Sequence, residues 1–83
     1  MNRNNTSNQR IILLSLLKQL RIKADFTQAD LAKKIKQPQS FVSKYESGER
    51  RLDILELRMI CSALGITLND FVKKLEAKLN ETI

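Results

Sequence analysis

Two short amphipathic segments joined by almost no connecting chain constrain this sequence more than any other feature. They occupy "TQADLAKKIKQPQSFVSKYESG", Thr27 to Gly48. Thr27 with Asp30 three residues later forms a T-x-x-D variant of the capping box, and Leu31 and Ile35 repeat at i, i+4, so a helix starts there. Pro38 disfavours a helical conformation at Gln37 and suits the first position of a new helix, so "KQPQ" reads as a tight turn. The second helix then runs to about Ser47, where Gly48 supplies a residue suited to the left-handed position beyond a helix end. A tight turn separates the two helices.

Three further helices follow from periodicity and caps. From about Asn8 to Ile22, Leu13, Leu17 and Leu20 recur on one face, flanked by Ile11, Leu14 and Leu16, which predicts a broad buried side. Asp53 with Glu56 opens "DILELRMICSALG", ended by Gly65; apolar on most sides, this helix is expected to lie centrally. Thr67 with Asp70 opens "TLNDFVKKLEAKLN", where Leu68, Phe71, Val72, Leu75 and Leu79 form a stripe. That last helix is longer than a core of this size needs. No internal repeat and no strand-like alternation is visible, so the fold class is all-α, a compact bundle of five helices with short loops.

A chain of 83 residues suffices for one domain and not for two. Domains this small bury only about 60 to 65% of their unfolded surface, which demands an economical core. The expected organisation is a flexible tail over residues 1–8, a domain over 9–80 with the paired helices at about 27–47, and a short tail at 81–83. Arg3 is the one charged residue of that first segment. "IILLSLL" is too short to span a bilayer and is followed by Lys18, so no membrane segment and no signal peptide is expected. The single Cys61 allows no internal disulfide and sits in an apolar run, where it reads as a small core residue in a cytoplasmic protein.

Charge narrows the choice of partner. The net charge is +6, and it is uneven: residues 1–51 carry 11 basic and 4 acidic side chains (+7), residues 52–83 carry 4 and 5 (−1). A polyanion is the expected partner of the first three-fifths, nucleic acid before a membrane surface. Steps of about 100° along residues 39–47 gather Phe41, Val42 and Tyr45 in one sector and Gln39, Ser40, Ser43, Lys44 and Ser47 in another. The polar sector is short-chained and carries little charge, which fits either a solvated surface or groups that reach base edges in a major groove. A short helix, a tight turn and a second helix with such a face favour the latter, because they form a helix-turn-helix pattern.

From about Leu20 to Leu75 the chain resembles the phage-repressor-like helix-turn-helix regulators, the Xre or Cro/C1-type family, through "TQADLA", "QSFVSKYESGERR" and "ICSALG" at the family's spacing. The resemblance implies a lambda-repressor-like DNA-binding domain. By position it implies that Gln39, Ser40, Ser43 and Lys44 read bases, where Gln bonds adenine bidentately and Lys reaches guanine or a phosphate. Gln28 matches a residue that holds a phosphate at a helix N-terminus; capping its own helix is the alternative. Ser47, Gly48, Arg50 and Arg51 match the phosphate-contacting end of the recognition helix and its loop, with pairing to Glu49 or Asp53 the alternative for the arginines. Glu49, awkward beside a polyanion, is expected to point away. Arg21 matches an arginine that pairs with an acid on the recognition helix, which implies an Arg21–Glu46 salt bridge of structural role. The chain departs from the family pattern at Lys36, where Gly is frequent, and at Pro38, where a Ser or Thr cap is frequent.

A single domain offers few base contacts, so a homodimer on a pseudo-palindrome is expected, with Leu68, Val72, Leu75 and Leu79 as candidates for the dimer contact or for further core packing. The function implied is a double-stranded-DNA-binding transcriptional regulator, a repressor, with no cofactor and no small-molecule ligand. An antitoxin-like or adaptor domain is the alternative, disfavoured by the lack of a long partner-binding segment. With no His, one Cys, no phosphate loop and no clustered carboxylates, the usual parts of an enzyme are missing from the sequence.

Overall fold

The first four helices all end in the same hydrogen-bonded turn, and this repeated device sets the path of the chain. In the computed structural model, which describes residues 6–81, the elements are α1 (Thr6–Lys23), α2 (Gln28–Lys34), α3 (Gln39–Glu46), α4 (Ile54–Ala63) and α5 (Leu68–Glu81). After each of α1 to α4 an N–H reaches back five residues: Phe26 to Arg21 O, Gln37 to Ala32 O, Glu49 to Lys44 O and Ile66 to Cys61 O, at 2.9–3.1 Å. The residue before each of these donors is left-handed, as this motif requires. Gly48 and Gly65 take that position with φ of 87° and 83°; Asp25 and Lys36 take it without being glycine, at 63° and 58°. The turn between α2 and α3 is therefore built in the usual way with a strained Lys36, at a cost on the order of 1 kcal/mol.

The helix starts are equally well defined. Thr27 Oγ1 accepts from Asp30 N at 3.0 Å while Asp30 accepts from Thr27 N, and Asp53 and Glu56 exchange the corresponding pair. Thr67 Oγ1 accepts from Asp70 N at the start of α5. Pro38 differs from the expectation: with φ −65° and ψ 155° it is the N-cap and lies outside α3, which starts at Gln39 with no side-chain cap. Its fixed φ suits either place, but an extended ψ lets the chain turn sharply before the helix begins. α1 starts earlier than the sequence suggests, at Thr6, so residues 6–8 are helical, and Glu81 still belongs to α5. Arg3 and the rest of residues 1–5, with 82–83, lie outside the described residues.

α2 packs on α3, α1 on both α3 and α5, and α4 on α5. The core at their junction holds Leu17, Leu31, Val42, Tyr45, Ile60 and Phe71, all fully buried, with Leu16, Ala32, Ile35, Phe41 and Cys61 beside them. Each large apolar side chain in it stabilises the fold by about 1.5–3 kcal/mol. The buried face of α1 is centred on Leu16, Leu17 and Arg21, and Ile11 is left in solvent. α4 is central only in its second half: Ile60 and Cys61 are buried, but Ile54 and Leu55 are 60% and 73% exposed. Burial pushes the Cys61 thiol up to about 11, so it is neutral near pH 7.

Candidate nucleic-acid interface

α3 is held by its apolar side and by both ends. Phe41, Val42 and Tyr45 are buried, and the Phe41 and Tyr45 rings meet edge to face at 5.8 Å between centroids. The Tyr45 hydroxyl is buried with no hydrogen-bond partner among the described residues, and desolvation raises its pKa. On the opposite side Gln39, Ser40, Lys44 and Ser47 are exposed and Ser43 is half-buried. Two of the three serine hydroxyls bond to the helix backbone: Ser43 Oγ donates to Ser40 O at 3.4 Å and Ser47 Oγ to Lys44 O at 3.0 Å. The face that remains is polar, flexible only at Gln39 and Lys44, and nearly free of charge.

Arg21 and Glu46 form a fork: Arg21 Nε donates to Glu46 Oε2 at 2.7 Å and Nη2 to Oε1 at 3.1 Å. Arg21 Nη1 also donates to Phe26 O at 2.7 Å, so one guanidinium ties α1, the turn after it and α3 together. The hydrogen bond to Glu46 raises the Arg21 pKa further above its already high value. Gln28 Nε2 donates to Glu46 Oε1 at 3.0 Å, which joins α2 to the same carboxylate and engages one of the two amide N–H groups expected at a phosphate.

Arg50 and Arg51 are neighbours with different surroundings. Arg50 lies over the Phe41 ring at 4.6 Å and donates to both oxygens of Glu56, at 2.8 and 3.3 Å. Glu56 is at the same time the capping-box partner of Asp53 N. Arg50 is therefore a strut between α3 and the start of α4, and it pairs with neither acid weighed from the sequence, Glu49 or Asp53. Arg51 is exposed.

The loop backbone is also largely engaged. The N–H groups of Ser47, Gly48, Glu49 and Arg50 donate to Ser43 O, Tyr45 O, Lys44 O and Lys44 O, and Gly48 O accepts from Arg10 Nη2 at 3.0 Å. Gly48 thus has both backbone groups engaged within the fold while it forms the left-handed turn. Arg10 has no signal in the sequence, because the contact spans 38 residues and depends on how α1 crosses α3. Glu49 is exposed.

The four α5 leucine and valine candidates divide. Leu68 and Leu75 pack against the core, Val72 is 40% exposed, and Leu79 is half-buried. Ile54 and Leu55, more exposed than any of these, were hidden within an apolar run whose two ends meet different surroundings. No helix among the described residues is long and apolar enough to cross a membrane.

Comparison with known proteins agrees with this geometry. The helix-turn-helix family pattern matches residues 17–71. An XRE-family like protein from Pseudomonas syringae pv. tomato str. DC3000 superposes with a TM-score of 0.83 at 41% identity, covering 88% of this chain and 89% of its own. The restriction-modification controller protein C.Esp1396I superposes with a TM-score of 0.79 at 25% identity, over 86% of this chain and 91% of its own. The same controller, solved as a tetramer in complex with its natural 35 base-pair operator, gives a TM-score of 0.76 at 26% identity, over 83% and 91%. No curated protein matches significantly. A family pattern that runs from the middle of α1 into α5, together with a 41% identical relative of matching length, makes this chain a member of the Xre (Cro/C1-type) helix-turn-helix family of DNA-binding transcription regulators.

Proposed function

We propose that this protein is a sequence-specific repressor that binds a pseudo-palindromic operator as a homodimer, through the domain spanning residues 9–80 in the cytoplasm. The observation that carries the reading is the exposed face of α3. Gln39, Ser40, Ser43 and Lys44 stand on a helix whose ends are braced by Arg21–Glu46 and by Arg50 over Phe41. Rigid support matters because a bidentate bond to a base edge tolerates little displacement. Arg51, with the second amide N–H of Gln28 and with the Ser47 hydroxyl once it turns away from Lys44 O, supplies phosphate contacts that fix register. The presented groups need no cofactor.

Val72 and Leu79 on α5, with Leu68 and Leu75 beneath them, form the dimer contact. C.Esp1396I, which assembles as a tetramer on its operator, supports an oligomer on DNA. Repression then follows by occlusion of a promoter. A fluorescence titration against duplex DNA tests the reading: Gln39→Ala is expected to cost about 1–3 kcal/mol at one base position, while leaving binding to random duplex unchanged. Equal loss on both duplexes would remove Gln39 from base reading.

A further inference from the structure

α1 packs on α3 and on α5, and on its α5 side it leaves a groove that no described residue of α3 lines. Two adjoining hollows of about 300 and 190 Å³ make up the groove, and they share Leu16, Gln19 and Lys78. Along α1 the lining runs from Ile11 to Lys23, a rise of about 18 Å, or some three helical turns. Its floor is apolar, with Ile12, Leu16 and Leu20 from α1 and Ala77 from α5, and Ile11 is 63% exposed at one end. Lys23, Lys74 and Lys78 stand on the rim, all exposed. The one lining carboxylate, Glu81, lies 4.0 Å from Lys78, and Lys23 and Lys74 are paired with no acid among the described residues. By steps of about 100°, Lys74, Ala77 and Lys78 lie across α5 from Val72 and Leu79, so the homodimer proposed above leaves the groove open.

We infer that this groove docks an acidic amphipathic helix of a second protein. An apolar floor three turns long matches the i, i+3, i+4, i+7 stripe of such a helix, and the lysine rim matches carboxylates that flank the stripe. A phosphate backbone has nothing apolar with which to cover Leu16 and Leu20. A second copy of this chain would bring α1 or α5, whose exposed lysines repeat those of the rim and repel them. Charge and shape together therefore select a different protein as the occupant. Docking there leaves the polar face of α3 uncovered.

The probe is a synthetic helical peptide of about 18 residues, with leucines at i, i+3, i+4, i+7 and glutamates on either side of the stripe. It is titrated without DNA into the isotope-labelled full chain and followed by two-dimensional NMR. Amide shifts are expected at Leu16, Gln19, Leu20, Ala77 and Lys78 and not along α3, with a dissociation constant on the order of 100 µM. The same peptide with lysines for its glutamates is expected to bind at least about tenfold more weakly. Lys74→Glu is expected to weaken the acidic peptide about fivefold, whereas Arg58→Glu, the same charge change at an exposed site on α4, stays within about twofold of the wild type. Both variants keep the wild-type melting midpoint. No shift at about 1 mM peptide, equal binding of the lysine peptide, or shifts confined to α3 overturn the inference. Groove amides that move with protein concentration alone also overturn it, by assigning the groove to a second copy. Because DNA is absent throughout, none of these failures touches the DNA-binding reading.

Discussion

The two arginine–glutamate pairs brace α3 from different sides and keep different amounts of water. In Arg21–Glu46 the side chains are 9% and 5% exposed; in Arg50–Glu56 they are 39% and 26% exposed. Desolvation offsets most of the attraction in the first pair, so its net contribution is small, yet removing one partner strands the other charge. The second pair is weak because water screens it, and the stacking of Arg50 on Phe41 accounts for much of its order. One pair is an obligatory constraint on the angle between α1 and α3. The other is a prop between α3 and the start of α4.

Urea denaturation of Arg21→Ala against Arg50→Ala sharpens this contrast most. Arg21→Ala is expected to lose about 3–5 kcal/mol, because Glu46 is then held by Gln28 alone, and to lower the melting midpoint by roughly 10 °C or more. Arg50→Ala is expected to lose about 1 kcal/mol. Equal losses would break the distinction between constraint and prop. At 1 M salt, screening should shrink the Arg50→Ala loss and leave that of Arg21→Ala nearly unchanged.

Lys36→Gly probes the α2–α3 turn without touching either pair. Releasing the left-handed strain is expected to add up to about 1 kcal/mol of stability with no change in base preference; a loss would mean that the Lys36 side chain supports the turn. Tyr45→Phe removes a buried hydroxyl that has no partner among the described residues, so thermal denaturation is expected to show unchanged or slightly raised stability, by about 1 kcal/mol at most. The smallest effect concerns Asp30, whose carboxyl is held below its ordinary value by the N–H of Thr27 and then by its side chain. A lowered folded pKa gives stability that is present above the ordinary carboxylate range and lost as pH falls through the lowered value. Asp30→Asn should therefore reduce the acid sensitivity of α2, measured by helicity on titration from neutral pH downward.

Much of the fold was legible because its signals are local. Thr27 with Asp30 and Asp53 with Glu56 announce helix starts within four residues, and Gly48 and Gly65 announce helix ends by their own lack of a Cβ. The start of α1 escapes the sequence because Thr6 and Ser7 favour helices only weakly. The polar sector of α3 was legible from its period. The division between Arg50 and Arg51 was not: adjacent and alike in sequence, they differ only because Phe41 and Glu56 converge on one of them.

What the sequence by itself determined was the set of helices, their order, the apolar face that seats α3 and the polar face it presents, because periodicity and capping are properties of neighbouring residues. The tertiary structure decided which polar and charged groups are tied into the fold. Arg21, Gln28 and Arg50 bond to carboxylates within it, while Lys18 and Arg51 line a groove with Arg10. That sorting depends on contacts between residues far apart in the chain, and the pattern of charge along the sequence holds no record of them.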